Sequence, residues 1–254
     1  MPPAEGGGME INMKILALDS SGLVAGVAVV EDDTMLASYT INYKKTHSQT
    51  LLPMLEEVSK MIELDLNTID AIAVAAGPGS FTGLRIGSAT AKGLGFALGK
   101  PIVEIKTVEA MAYQLYGTEK IICPMLDARR SQVYTGLYTF ECKEGKSMFQ
   151  TILEQCAVSV TEIIDKINEI GKEVIFLGDG VPVYESVLKE QVKVPYELAP
   201  AYCNRQNPGA MGTLACDYFA QNKFVDAKEH KPDYLRLSQA ERERLEKEQN
   251  AKPE

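Results

Sequence analysis

Residues 14–22 read KILALDSSG, an apolar run that ends in an acid and a small polar turn. Two further apolar segments follow, AGVAVVEDD and MLASYTINY, and the turn EDD between them predicts a hairpin of two strands. The pattern returns at residues 121–127, IICPMLD, before the turn ARRSQ and the strand VYTGLYTF. Two segments with the order strand, acid, turn and strand predict two α/β halves that begin alike.

The chain divides into four predicted regions. Its 254 residues are 45% hydrophobic, which is enough to bury a core in two small domains. We expect a disordered extension at 1–12, an N-terminal domain at 13–110, a C-terminal domain at 111–237 and a charged tail at 238–254. No Ser/Pro-rich linker separates the two domains, so we expect them to pack closely.

Composition limits the classes of function. The formal net charge of −9 argues against a protein that grips nucleic acid through its own overall field. No apolar run approaches the ~20 residues of a membrane span, and the polar, glycine-rich start lacks the core of a secretory signal. The five cysteines are widely spaced and odd in number, which is typical of reduced thiols in a cytoplasmic protein.

Two helices are predicted in the first half of the chain. Over residues 46–64 apolar side chains recur at helical spacing, at Leu51, Met54, Leu55, Val58 and Met61. The next helix, which ends near Leu98, carries a small residue at every fourth position, at Gly83, Gly87, Ala91, Gly95 and Gly99. An internal glycine costs a helix about 1 kcal/mol relative to alanine, so this stripe indicates close packing. Packing on the chain's own sheet and packing against a partner helix are both open.

Three turns are candidates for phosphate or nucleotide binding, and each has an ordinary turn as its alternative. Asp19-Ser20-Ser21-Gly22 offers hydroxyl and N–H groups to a phosphate and an acid to a hydrated cation. GPGSFTG, at residues 77–83, lies between a strand and a helix, where N–H groups face an anion. Gly178-Asp179-Gly180 closes a strand before a helix and can flank a nucleoside. The candidate residues are Asp19, Ser20, Ser21, Gly77, Gly79, Ser80, Gly83 and Gly178.

Metal and catalytic residues are not predicted. Only two histidines, His47 and His230, are present, and no Cys/His cluster or metal-ligand spacing exists. No nucleophile elbow or Ser–His pairing stands out. Arg129 and Arg130 lie at the tip of the second strand–acid–turn, where they can hold a phosphate, hold a partner's carboxylate or be solvated.

Several motifs, taken in order, resemble the TsaB (YeaZ) family. They are LALDSS, HSQTLLP, AVAAGPGSFTGLRIG with AKGLG, LDARRSQVY and the late LGDG, and the likeness runs from about Met13 to Leu237. The resemblance implies a two-domain α/β fold of the actin-like (ASKHA, ribonuclease H-like) type, with mixed sheets flanked by helices. It also implies kinship with TsaD, whose helical metal motif is His-Met-Glu-Gly-His. The corresponding stretch here is Thr107-Val108-Glu109-Ala110-Met111, in which both histidines are replaced.

The resemblance implies a non-catalytic subunit in threonylcarbamoyladenosine (t6A) modification of tRNA. Such a subunit binds TsaD directly, acts together with TsaE, and meets tRNA only through the complex. It is cytoplasmic, holds no cofactor tightly, and meets ATP or ADP at the complex interface if at all. The alternatives are an actin-like ATPase or kinase acting on its own, and an M22-type peptidase, which the absence of metal ligands and of an activated nucleophile disfavours.

The partner interface is expected on the two first-half helices. An actin-like sheet needs only part of their apolar surface for its own core, and close approach of a partner would offset the glycines. The expected interface residues are Leu51, Met54, Leu55, Val58, Met61, Gly83, Gly87 and Ala91. In the absence of TsaD we expect the same surface to pair with itself in a two-fold homodimer.

Overall fold

The computed structural model describes residues 12–43 and 50–235. The predicted extension, except Asn12, and the predicted tail at 238–254 lie outside this part of the chain, as does His47. The fold therefore does not address the predictions for the extension and the tail.

The first half forms a five-stranded mixed sheet with the order β3-β2-β1-β4-β5. The strands are β1 (Lys14–Asp19), β2 (Val24–Glu31), β3 (Thr34–Asn42), β4 (Ala71–Gly77) and β5 (Ile102–Lys106). β1 pairs antiparallel with β2 and parallel with β4. β1 and β4 are buried over nearly their whole length because they lie at the centre of the sheet with helices on both faces.

The second half repeats this plan in a sheet with the order β10-β9-β6-β7-β8. The strands are β6 (Ile121–Arg129), β7 (Gln132–Lys143), β8 (Lys146–Ser159), β9 (Val174–Leu177) and β10 (Tyr196–Leu198). β6 pairs antiparallel with β7 and parallel with β9, as β1 does with β2 and β4. The expectation that the two halves begin alike is confirmed, together with the α/β class of the fold.

Helices cover both faces of the first sheet. The α-helices of the described residues, in both halves, are α1 (Leu51–Met61), α2 (Phe81–Leu98), α3 (Thr107–Tyr113), α4 (Val160–Ile170), α5 (Gly180–Val183), α6 (Glu185–Gln191) and α7 (Pro208–Ala220). α1 and α2 share one core with the outer face of the first sheet. α3 and α7 belong to a second core that contains side chains from both sheets, so they join the two halves.

Helix α7 comes late in the chain and packs on the first sheet. The side chain of Asn207 caps it, accepting hydrogen bonds from the N–H groups of Gly209 and Ala210 at 2.9 and 3.3 Å. A Cβ at Gly212 would lie 2.8 Å from Val30 Cγ2, so the glycine permits close approach to β2. The predicted division at residues 110/111 falls within α3, and the domain boundary stays a prediction.

Residues 225–235 form a strap along the first sheet. Val225 and Ile102 exchange two backbone hydrogen bonds of 2.9 Å, which extends the sheet at β5. The N–H of Asp233 donates to the carbonyl of Ala76 at 2.7 Å, at the end of β4. The strap therefore closes the edge and one end of a sheet whose strands come from the beginning of the chain.

Polar side chains also connect the second sheet to the first half. Lys106 Nζ lies 2.7 Å from Glu154 Oε2 on β8. The adjacent Gln155 donates from Nε2 to Asp233 Oδ2 in the strap at 2.7 Å. The two halves are thus held by these contacts as well as by the shared core.

Candidate functional site

A cleft of about 670 Å³ lies between the two halves, where the turns after β1, β4, β6 and β9 meet. We call it the inter-sheet cleft, and its polar walls come from Ser21, Ser80, Asp127, Arg129, Asp179 and Gln206. Of the candidate phosphate-binding residues, Ser21, Gly79 and Ser80 line the cleft. Asp19, Ser20, Gly77, Gly83 and Gly178 lie around it without lining it.

Polar groups of the first turn, residues 19–22, form hydrogen bonds within the protein. Asp19 is 1% exposed, and its Oδ1 accepts hydrogen bonds from the N–H and the hydroxyl of Ser21, at 2.8 and 2.7 Å. The hydroxyl of Ser20 donates to the carbonyl of Gly83 at 2.9 Å. The Ser20 hydroxyl and the Ser21 hydroxyl and N–H, which were candidates for binding a phosphate, are therefore hydrogen-bonded within the protein.

The GPGSFTG loop packs directly on this turn. The N–H of Ser80 donates to the carbonyl of Ser21 at 2.7 Å, and the Ser80 hydroxyl caps α2 by accepting from the N–H of Gly83. A Cβ at Gly83 would overlap the carbonyl oxygen of Ser20, and one at Gly79 would overlap that of Ser21. Both glycines thus allow close approach of two backbones, which is a packing role.

Two carboxylates form the opposite wall of the cleft. Asp179 Oδ1 accepts the N–H of Asp127 at 3.0 Å, and Asp127 Oδ1 accepts the hydroxyl of Tyr184 at 3.0 Å. Burial raises the pKa of Asp179 above its ordinary value. Burial, reinforced by the hydrogen bond to Asp127, raises the pKa of Tyr184 to about 12. Gly178 has a φ of +108° and lies against the carbonyl of Met125, which a side chain would overlap.

The arginine turn after β6 is built from residues in the left-handed region. Arg129, Arg130 and Ser131 have φ values of 61°, 55° and 56°. The side chains of Arg129 and Arg130 are exposed, and Arg129 borders the cleft. A tight hairpin with two exposed arginines therefore follows β6 at the rim of the cleft.

Gln206 is one of the cleft residues that the sequence analysis missed. It lies on the loop before α7, is 5% exposed, and packs against Gly22 of the first turn. No periodicity or motif marks it, since its position depends on α7 crossing back to the first sheet. The only signal nearby is the Asn207-Pro208 helix start.

The segment that matches the TsaD metal motif is part of the core. Thr107 and Met111 are fully buried, and Glu109 is 3% exposed. The carboxylate of Glu109 accepts the hydroxyl of Tyr218 at 2.8 Å and pairs with Lys106 at 3.0 Å. Among residues 12–43 and 50–235, no group of three or more His, Cys, Asp and Glu side chains could hold a metal ion.

The apolar stripe of α1 is used by the chain's own core. Leu51, Met54, Leu55 and Val58 are between 1% and 5% exposed and pack on β2 and its neighbours. These four side chains are therefore covered by the chain's own first sheet, whose outer face is itself apolar, and their place in a partner interface stays a prediction. Met61 differs, being 76% exposed.

The small residues of α2 that were assigned to a partner also face inward. Gly83 and Gly87 lie against Ser20, and Ala91 is fully buried. Of the two explanations for the stripe, packing on the chain's own sheet accounts for these three residues. The outward face of α2 is a different stripe, formed by Thr82, Arg85, Ala89, Gly93 and Phe96.

Two mixed sheets of matching order, joined by shared helices and separated by a cleft, define the actin-like class of α/β proteins. Over residues 34–244 the chain matches the family "TsaD: tRNA N6-adenosine threonylcarbamoyltransferase". The "tRNA threonylcarbamoyladenosine biosynthesis protein TsaB" of Bacillus subtilis is 31% identical over 229 residues, which cover 90% of this chain and 96% of that protein. The chain belongs to the TsaB (YeaZ) family, as its motifs predicted.

Further relatives agree with this assignment. The Escherichia coli protein of the same name is 27% identical over 230 residues, covering 88% of this chain and 95% of that protein. A solved structure, described as an uncharacterized protein with similarity to peptidase YeaZ from Pseudomonas aeruginosa, is 26% identical with a TM-score of 0.74. It covers 88% of this chain and all of its own. The expected actin-like fold is therefore confirmed. No helix in the described part of the chain is long and apolar enough to cross a membrane.

Proposed function

We propose that this chain is a non-catalytic subunit in t6A biosynthesis, which binds TsaD directly and acts together with TsaE. The observation that carries the proposal is the closed contact between the first turn and the GPGSFTG loop. On the first-half wall of the inter-sheet cleft, the Ser20–Gly83 and Ser80–Ser21 hydrogen bonds use polar groups that a bound phosphate would need. The threonylcarbamoyl transfer then takes place on TsaD.

The same contacts disfavour an ATPase or kinase acting on its own. A β-phosphate needs free N–H groups and a small residue in the second turn. Here Ser21 and Ser80 are already hydrogen-bonded, and the second turn is Asp127-Ala128-Arg129. The peptidase alternative is disfavoured because Glu109, the one acid left from the metal motif, is held by Lys106 and Tyr218.

The outward face of α2 is the surface we propose for TsaD. Gly93 lies in the middle of this helix, and a Cβ built on it meets nothing within 4 Å. A mid-helix glycine costs about 1 kcal/mol relative to alanine, and at Gly93 nothing in the described chain offsets that cost. Close approach of a partner helix would offset it. Ala89 on the same face permits that approach, and the exposed Phe96 would be buried by it.

Helix α1 also has exposed apolar side chains. Leu52 and Met61 are 53% and 76% exposed. We propose that the two helices form a four-helix contact with equivalent helices of TsaD, or with a second copy of the chain when TsaD is absent. In this proposal ATP or ADP binds only at the interface of the complex, no metal is held tightly, tRNA is met through TsaD, and the complex works in the cytoplasm.

The test compares two alanine-to-arginine variants. Ala89→Arg places a long charged side chain on the proposed surface, whereas Ala220→Arg places one at the exposed end of α7. We expect Ala89→Arg to weaken binding to purified TsaD by at least about tenfold, since a buried unpaired charge opposes association, with an unchanged circular dichroism spectrum. We expect the Ala220→Arg variant to bind as the wild type does. Equal affinity of both variants for TsaD would place the interface elsewhere.

A further inference from the structure

Two arginines at the rim of the inter-sheet cleft have no part in the subunit function proposed above. Arg129 and Arg130 lie in the hairpin turn between β6 and β7, and both side chains are exposed. Seven lysine side chains of the described residues pair with glutamates. Within residues 12–43 and 50–235, by contrast, no carboxylate oxygen lies within 4 Å of either arginine's guanidinium group. In a chain with a net charge of −9, two adjacent cations of this kind are available to an external anionic group.

The backbone of the arginine turn, residues 129–131, is held in a conformation that L side chains rarely adopt. The φ values of Arg129, Arg130 and Ser131 lie between 55° and 61°, a region in which asparagine and glycine are favoured. The N–H of Arg129 donates to Asp127 Oδ1 at 2.8 Å, and the N–H of Val160 donates to the carbonyl of Ser131 at 3.2 Å. Such strain persists where neighbouring contacts fix the backbone, and it is concentrated at functional sites. The two arginines therefore leave a turn whose backbone is already ordered before a ligand binds.

Apolar side chains line the same cleft as the arginine turn. Leu23, which follows the first turn, is 63% exposed and lines the cleft together with Arg129. Phe81 and Tyr134 line it as well, and both are partly exposed. An apolar surface with charged groups at its rim is typical of a site that binds another protein. The fitting ligand carries an apolar side chain beside its anionic groups.

The charges at this rim favour a short acidic peptide segment over a nucleic acid. Binding of nucleic acid needs a basic footprint that neutralises several phosphates. The rim offers two arginines, and the carboxylates of Asp127 and Asp179 lie in the cleft wall beside them. A single carboxylate can be held by both arms of one guanidinium group, and it brings only one negative charge into the field of an acidic chain.

We propose that the arginine turn and Leu23 form a docking site for an acidic segment of a partner protein. Two carboxylates of that segment pair with Arg129 and Arg130, and an adjacent apolar side chain packs on Leu23 at the cleft. None of these three residues lies on α1 or α2, so the site goes beyond the surface proposed above for TsaD. It allows an acidic segment to be held while the outward face of α2 is occupied.

The experiment titrates the full chain with short probes of defined charge. The acidic probe is the peptide acetyl-Leu-Asp-Glu-amide, its neutral match is acetyl-Leu-Asn-Gln-amide, and single-stranded oligoadenylate represents RNA. In protein labelled with 15N-arginine, the Nε–H resonances of Arg129 and Arg130 report contact directly. We expect the acidic peptide to shift both resonances with a Kd of about 1 mM, and the neutral peptide to bind at least about tenfold more weakly. Unshifted resonances, or tighter binding of oligoadenylate than of the acidic peptide, would overturn the proposal.

Matched variants separate docking from the overall charge of the chain. Arg130→Gln and Lys193→Gln each remove one positive charge, and Lys193 is exposed on the loop after α6. We expect Arg130→Gln to bind the acidic peptide about fivefold more weakly and Lys193→Gln to bind it as the wild type does. Leu23→Ala should weaken both peptides equally, because each carries the leucine. Equal affinity of the two charge variants, or an unchanged affinity in Leu23→Ala, would overturn the site. TsaD binding is expected to be normal in all three variants, so failure here is distinguishable from failure of the proposed function.

Discussion

Glycines on one helix have opposite roles in this molecule. Gly83 and Gly87 lie where α2 meets the first turn, and a side chain at Gly83 would overlap a backbone carbonyl. Gly93, two turns further on, faces outward with open space around its Cα. Gly83, Gly87 and Gly95, which share the predicted stripe, are all buried, whereas Gly93 lies outside that stripe and is exposed.

The first prediction compares the same substitution at two of these positions. Gly83→Ala should lower the free energy of unfolding by about 1–3 kcal/mol, because the backbone carbonyl of Ser20 must move. Gly93→Ala should raise it by about 1 kcal/mol through helix propensity alone. Urea unfolding followed by circular dichroism measures both. A loss of stability in Gly93→Ala would mean that Gly93 has a packing role within the chain.

At the scale of elements, much of the fold could be predicted because local patterns decide it. The strand–acid–turn segments appear as β1 and β6, and the helix after GPGSFTG ends at Leu98 as expected. β8 could not be found, because its 14 residues mix polar and apolar side chains at an edge of the sheet. The strap was missed as well, since its contacts join residues more than a hundred positions apart. The cleft was predicted only as separate turns for the same reason.

A hydrogen bond between the strap and β5 predicts how the stability of the protein depends on pH. His230 Nδ1 lies 2.6 Å from Glu104 Oε1, and this hydrogen bond holds the pKa of Glu104 below its ordinary value, while burial opposes the shift. A carboxyl whose pKa is lower in the folded state stabilises the fold above its unfolded pKa, and this contribution is lost as the pH falls through the folded pKa. Glu104→Gln should therefore be less stable than the wild type at pH 7.

The difference should shrink as the pH falls below about 4, where the wild-type carboxyl becomes protonated. Urea unfolding at pH 7 and at acidic pH measures the two differences. Glu190→Gln, on the exposed side of α6, is the control and should give a small, constant difference. A Glu104→Gln effect that is equally large at both pH values would contradict electrostatic stabilisation by His230.

At the scale of the whole molecule, several contacts hold the two halves in a fixed relative position. The actin-like class of enzymes works by opening and closing a cleft around a nucleotide. Here the shared core around α3 and α7, the Lys106–Glu154 pair and the Gln155–Asp233 bond all connect the halves. A subunit that presents one surface to a partner has no need of such closure.

The last prediction follows from the closed first turn. The isolated chain should hydrolyse ATP no faster than buffer, because Asp19 and Ser21 are bonded to each other and Ser80 to Ser21. A coupled phosphate-release assay of the wild type and Asp19→Ala measures this. We expect both proteins to match the buffer rate. A turnover in the wild type that Asp19→Ala abolishes would restore the ATPase alternative.

The late position of α7 and of the strap in the chain has a consequence for co-translational folding. β1 and β4 emerge early, yet the helix that covers one face of their sheet begins at Pro208, and the strand partner of β5 is Val225. A growing chain therefore leaves part of the apolar inner face of its first sheet uncovered until α7 has been synthesised. Translation therefore cannot complete the N-terminal half before the second sheet, because α7 and Val225 follow β10 in the chain.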